Sequence, residues 1–245
     1  MQLKPIVGSL LGSAVVALAA LGATTPDRPR AVPAAAGTIE GVVRLAGDQT
    51  PGPRTVANTT DPAVCGEVQS RGDLLVAEAS RGIRNVIVAL GGPAAEDLPA
   101  APPGRLVLDN HECQFAPHVA VLTAGSTIEA TSQDHILHTV HFYGALVRNV
   151  ALPMAGMRVT VIASKPGMIT VLCDVHGWMQ AFVRVDRHRY HAVSDAEGSF
   201  RIDDVPAGTY ELEVWHERLG RRSQPVNVHA GATSKLEIVY SLDER

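Results

Sequence analysis

The chain has 245 residues, enough for two domains of ordinary size, and its 21 basic and 25 acidic residues leave a formal net charge of −4. That balance excludes a general nucleic-acid or anionic-membrane binder, which needs a surplus of Lys and Arg. Aromatic residues make up only 4% of the chain, Gly (22) and Pro (16) recur throughout, and short apolar runs replace long amphipathic ones, so the fold class predicted is all-β.

In chain order, Lys4 precedes an apolar run over residues 5–23 that only Gly and Ser interrupt. It reads as a secretory signal ending near Ala20-Leu21-Gly22-Ala23, with an uncleaved membrane anchor as the alternative. Residues 24–36, rich in Pro and Ala, read as a tether. Both readings predict export to a periplasmic or other extracytoplasmic space, with membrane contact only through that anchor.

Export makes the three cysteines informative. Cys65 and Cys113 can pair and leave Cys173 as a free thiolate, whereas pairing of Cys113 with Cys173 would abolish any thiolate site. Cys173 lies in V-L-C-D-V-H-G-W-M, residues 171–179, which spaces Cys173, His176 and Met179 as Cys-x2-His-x2-Met. An alternating run over residues 168–173 delivers the thiol to a loop, Asp174 and Gly177 suit its turns, and residues 181–185 resume a strand. Thiolate, imidazole and thioether are soft donors that select copper, and thioether is a rare zinc ligand. A blue-copper centre needs a second imidazole, which I-L-H-T-V-H-F at residues 136–142 can supply. His138 and His141 point to opposite faces of a strand. His138, at the loop–strand boundary, is the preferred donor, and His135 reads as a loop residue. His118 is a candidate to hydrogen-bond the ligands from outside or to bind a second metal, with a plain half-buried strand histidine as the alternative. Trp178, between two candidate ligands, either covers the site or packs beside it. Met154 and Met157 are reserve thioethers.

The segment L-H-T-V-H-F-Y-G at residues 137–144, taken with C-D-V-H-G-W-M, resembles the cupredoxins, and the ligand-loop spacing is that of amicyanin. Phe115-x-Pro117 and Val121-x3-Gly125-x2-Ile128 resemble a cupredoxin strand and its turn. Cys113-x-Phe115-x-Pro117-His118-Val119 and H-G-W-M resemble the plastocyanin-like proteins of methylamine-utilisation type. The resemblance implies a Greek-key β-sandwich over residues 104–186 and one type 1 copper. His138, Cys173 and His176 would be its ligands, with Met179 in the axial position.

Beyond residue 186 the turns Asp195–Gly198 and 205–208 separate short strands, and further strands fall at 226–228 and 235–240. Gly198-x-Phe200 and Pro206-x-Gly208-x-Tyr210 resemble the carboxypeptidase regulatory-like, or transthyretin-like, sandwich. An opening strand is missing there, and residues 37–44 and 83–90 can supply it and a second one. The expectation is a nested chain, with residues 37–103 and 187–245 forming one sandwich and residues 104–186 inserted. In the alternative, residues 38–90 add strands to the cupredoxin. His188, His191, His216, Glu217 and His229 read as surface residues, and no catalytic set is present, so no enzyme activity is expected. The function expected is one-electron transfer between redox protein partners. Copper storage or delivery, and an envelope-binding module with a non-redox metal site, are the alternatives.

Overall fold

The computed structural model describes residues 1–2 and 36–242, so the expected signal or anchor and the tether up to residue 35 lie outside the described residues. Among the described residues no helix is long and apolar enough to cross a membrane. The chain opens with β1 (Ala36–Leu45), β2 (Thr55–Ala57), the one-turn helix α1 (Pro62–Cys65), β3 (Val68–Ser70), β4 (Ile87–Gly91) and a second one-turn helix, α2 (Pro93–Glu96). It continues with β5 (Arg105–His111), β6 (Gln114–Ala116), β7 (Val119–Thr123), β8 (Ser126–Ser132), β9 (His138–Gly144), β10 (Arg148–Leu152), β11 (Arg158–Ala163), β12 (Gly167–Leu172) and β13 (Gln180–Asp186). The last strands are β14 (His191–Val193), β15 (Ser199–Pro206), β16 (Gly208–His216), β17 (Gly220–Val228) and β18 (Thr233–Tyr240). The fold is all-β.

Alternation drives the layering. In β8 Ser126, Ile128, Ala130 and Ser132 are buried, and in β16 Tyr210, Leu212, Val214 and His216 are. Successive side chains of a strand leave on opposite faces, so each of these strands presents one face to a core. Two β-sandwiches result. In one, the sheet β15-β1-β18 faces the sheet β14-β4-β16-β17 across a core that includes Ile39, Val43, Leu90, Leu212 and Ile238. In the other, β10-β9-β12-β13-β7 faces β11-β8-β5-β6 around Leu108, Ile128, Phe142, Ile169 and Val183. β1 pairs antiparallel with β15 and parallel with β18, so the first strand of the described chain lies between two of the last five. Gly198 shows why the turn before β15 needs glycine: its φ is 78°, and a Cβ there would stand 2.3 Å from the Val43 carbonyl oxygen.

The seam between the sandwiches is polar. Arg184 bonds Asp186 at 2.9 Å and Glu213 at 2.7 Å, and Asp186 accepts from His191 at 2.9 Å. Nearby, Glu217 takes hydrogen bonds from both Gln180 and His118, and the Phe182 and Trp215 rings lie 5.0 Å apart. This corrects the reading of four residues as surface groups. His188 is buried, and His216 is buried on the same face of β16 as Leu212 and Val214. The side chains of Glu217 and His191 are nearly buried where they meet His118, Gln180 and Asp186 at the seam. His229 is exposed.

Candidate metal centre

Three of the expected ligands meet at one end of the second sandwich. β9 starts at His138 and buries His138, Val140 and Phe142, which puts Thr139 and His141 on the opposite face. β12 ends one residue before Cys173. The loop to β13 is then closed by two backbone bonds, Met179 N–H to the His176 carbonyl (3.0 Å) and Cys173 N–H to the Met179 carbonyl (3.3 Å). That short loop turns His176 inward beside the thiol. The His138 and His176 Nδ1 atoms are 3.0 Å apart, and Cys173 Sγ lies 4.0 Å from the first and 3.7 Å from the second. All three side chains are buried, and Cys173 is the free cysteine.

The outer edge of each imidazole decides its tautomer. His138 Nε2 is 2.9 Å from Asp134 Oδ2, and His176 Nε2 is 3.1 Å from Asp61 Oδ2. A carboxylate only accepts, so both Nε2 atoms carry hydrogen, and in the neutral rings both Nδ1 lone pairs face each other and the sulfur. Two bare lone pairs 3.0 Å apart repel unless a proton or a metal ion sits between them. Metal bonds of about 2.0 Å to nitrogen and 2.3 Å to sulfur span donors roughly 4 Å apart or less, and the three observed separations fall within that span. The residues present therefore fit a soft metal ion. Burial, and next the neighbouring His176, push the His138 pKa below its ordinary value, which keeps that ring in the neutral form a metal requires.

The surroundings support the trio. Cys173 Sγ accepts the Thr139 backbone N–H at 3.4 Å and faces the Thr139 hydroxyl at 3.9 Å. Asp134 is itself fixed by the N–H groups of Glu112 and Cys113, each at 2.9 Å, which two successive left-handed residues (φ 51° and 56°) turn toward its carboxylate. Met179 is buried in the same core as Cys173. Trp178 donates Nε1–H to the Cys113 carbonyl at 3.0 Å and sets its ring 5.1 Å from that of His176, so it walls the site. His118 lies elsewhere. Its Nδ1 meets the Gln180 carbonyl at 3.0 Å and its Nε2 meets Glu217, so both ring nitrogens are engaged at the seam and neither faces the trio. His141 stacks on Tyr143 and hydrogen-bonds Asp174 at 2.9 Å, while His135 and Met154 are exposed. Cys65 and Cys113 form a disulfide. This also removes Cys113 from a second possible grouping with Asp134 and His138, since a disulfide sulfur is no thiolate.

Asp61, Asp134 and Thr139 were not among the residues the sequence singled out. Asp134, four residues before His138, was open to reading as the carboxylate partner of a ligand histidine. Asp61, 115 residues before His176, carries no such signal.

Residues 152–241 match the family model of the carboxypeptidase regulatory-like domain. The match takes in β14–β18 and begins in the inserted strands, at the end of β10. Among solved structures, amicyanin from Paracoccus versutus is 17% identical over 40% of this chain and 97% of its own, with a TM-score of 0.30. A purple cupredoxin from Nitrosopumilus maritimus is 18% identical over 34% of this chain and 99% of its own (TM-score 0.30). A copper-containing nitrite reductase from Thermus scotoductus SA-01 is 20% identical over 39% of this chain, and the shared part spans only 27% of that enzyme (TM-score 0.31). No curated protein matches the chain.

Proposed function

We propose that this chain is an exported copper protein that carries single electrons between redox protein partners, with residues 104–186 as the copper-bearing module nested in a carboxypeptidase regulatory-like sandwich. The observation that carries the reading is the buried trio of His138, Cys173 and His176, with both Nδ1 atoms turned to the sulfur and both Nε2 atoms held by carboxylates. Met179, buried in the same core, would supply a thioether donor. Copper held there would supply a Cu(I)/Cu(II) couple.

The protein's part is constraint. β9 and β12 are hydrogen-bonded neighbours, and His138 and Cys173 stand at their ends, so the two donors share one rigid frame. Asp134, Asp61 and Thr139 fix the orientation of the donors before any ion arrives, and a frame that does not rearrange suits both oxidation states. Burial keeps water from the donors. His138, Cys173 and His176 would hold the ion, with Met179 buried in the same core as a further donor, and such a set favours a carrier over an enzyme. The disulfide is consistent with an oxidising, extracytoplasmic compartment.

The test is an absorption and electron spin resonance spectrum of the protein after Cu(II) addition, repeated after ascorbate. The expected result is an intense thiolate-to-copper band with narrow copper hyperfine splitting, bleached by the reductant. A colourless protein with ordinary copper signals sinks the assignment. Tight binding without reversible bleaching favours storage or delivery.

A further inference from the structure

The segment β2–α1–β3 lies against the metal loop from outside the inserted strands. Asp61, immediately before α1, adopts a left-handed conformation (φ 55°, ψ 43°) that aspartate tolerates better than most residues, and Pro62 then fixes the first helical position. From there its carboxylate accepts the His176 Nε2–H at 3.1 Å, and Cys65 Sγ lies 3.9 Å from the same nitrogen. The segment reaches the metal loop a second time through Arg71, whose Nη2 donates to the Gly177 carbonyl at 3.4 Å.

Two features hold Asp61 in place. The loop is closed on itself: Asn58 Nδ2–H donates to the Gly66 carbonyl at 2.6 Å, and the N–H groups of Val64 and Cys65 donate to the Asp61 carbonyl at 3.0 and 2.9 Å. It is also tethered, because the Cys65–Cys113 disulfide joins α1 to the turn between β5 and β6. That is the turn whose N–H groups fix Asp134, and through Asp134, His138. One covalent bond thus ties together the supports of both imidazoles.

We propose that Asp61 is a positioning residue for His176 and that the disulfide is the anchor that holds it there. The inference rests on the reading of His176 as a metal ligand. Without the carboxylate, the ring loses the partner that fixes its tautomer and its rotation. A negative charge beside the ligand also favours the more positive oxidation state of a bound ion.

The test uses the full chain and its Asp61→Asn and Cys65→Ala/Cys113→Ala variants. Copper affinity is measured by chelator competition and the midpoint potential by titration. Supporting partners of this kind are worth about 10–100-fold in metal affinity, so weaker binding on that scale and a more positive potential are expected for Asp61→Asn. The double cysteine variant, which keeps Asp61 but frees it, should weaken binding in the same direction. Wild-type affinity and potential in Asp61→Asn would overturn the proposal, while loss in that variant alone would overturn the anchor and keep Asp61. Should the wild-type protein form no copper–thiolate band, the metal reading fails separately. The metal-free protein then decides: a nitrogen-15 spectrum showing His176 protonated at Nε2, and a mixture of tautomers in Asp61→Ala, supports the positioning role. An unchanged tautomer in that variant overturns it.

Discussion

Cys173 is the residue on which the proposed centre turns. Serine in its place keeps the size and loses the soft anionic donor, so Cys173→Ser is expected to abolish the intense visible band while the metal-free fold melts within about 1 kcal/mol of wild type. A surviving band would move the thiolate elsewhere. His138→Ala is a different case, because the ring fills a fully buried site and answers Asp134. Its loss leaves a cavity and removes one of the hydrogen bonds to the buried Asp134 carboxylate, and about 2–4 kcal/mol of destabilisation is expected by chemical denaturation of the metal-free protein. The Cys173–His176 pairing was legible because both residues sit on one short loop. Strand alternation told that only one of His138 and His141 faces inward, and the place of His138 at the loop–strand boundary made it the preferred one. Asp61 was not legible: its contact with His176 depends on how two distant segments pack, and no local pattern encodes that.

At the level of elements, the sequence pattern made β9 and β16 readable, and the turns at Gly198 and Gly208 marked β15 and β16. The four-residue helices α1 and α2 were not anticipated, since one turn leaves no periodicity to detect. The anchoring of α1 has a measurable consequence. The disulfide closes a separation of 48 residues, for which the chain-entropy estimate is about 4 kcal/mol. Reduction, or the Cys65→Ala/Cys113→Ala change, is therefore expected to lower unfolding stability by roughly 3–4 kcal/mol, read as a lower denaturant midpoint. The effect should be on unfolding of the whole chain rather than of α1 alone, because Cys113 sits in the core of the second sandwich. A midpoint unchanged by reduction would show that the unfolded chain gains little freedom when the link is cut.

Across the whole molecule, burial is where the surface reading of the histidines failed. His216 looked like an exposed residue next to Glu217, but the alternation of β16 puts it on the face of Leu212 and Val214, which the core covers. Once covered, it becomes a pH-sensitive part of the fold. Burial, followed by the charge of His118, pushes its pKa down to about 4, with Asp73 opposing and Arg218 adding to the effect. The folded state therefore binds that proton less readily than the unfolded chain, whose histidine titrates near its usual value of about 6.5. Above pH 6.5 both states are neutral there and stability is fully present. As pH falls from 6.5 toward 4 the unfolded state alone gains the proton, and the loss approaches roughly 3 kcal/mol. Burial also lowers the His188 pKa, so that residue adds to the same slope. Denaturant unfolding of the metal-free protein should show stability falling steadily across this window, and less steeply in His216→Asn. A slope unchanged in the variant would place the acid sensitivity at His188 or at the metal trio and remove it from His216.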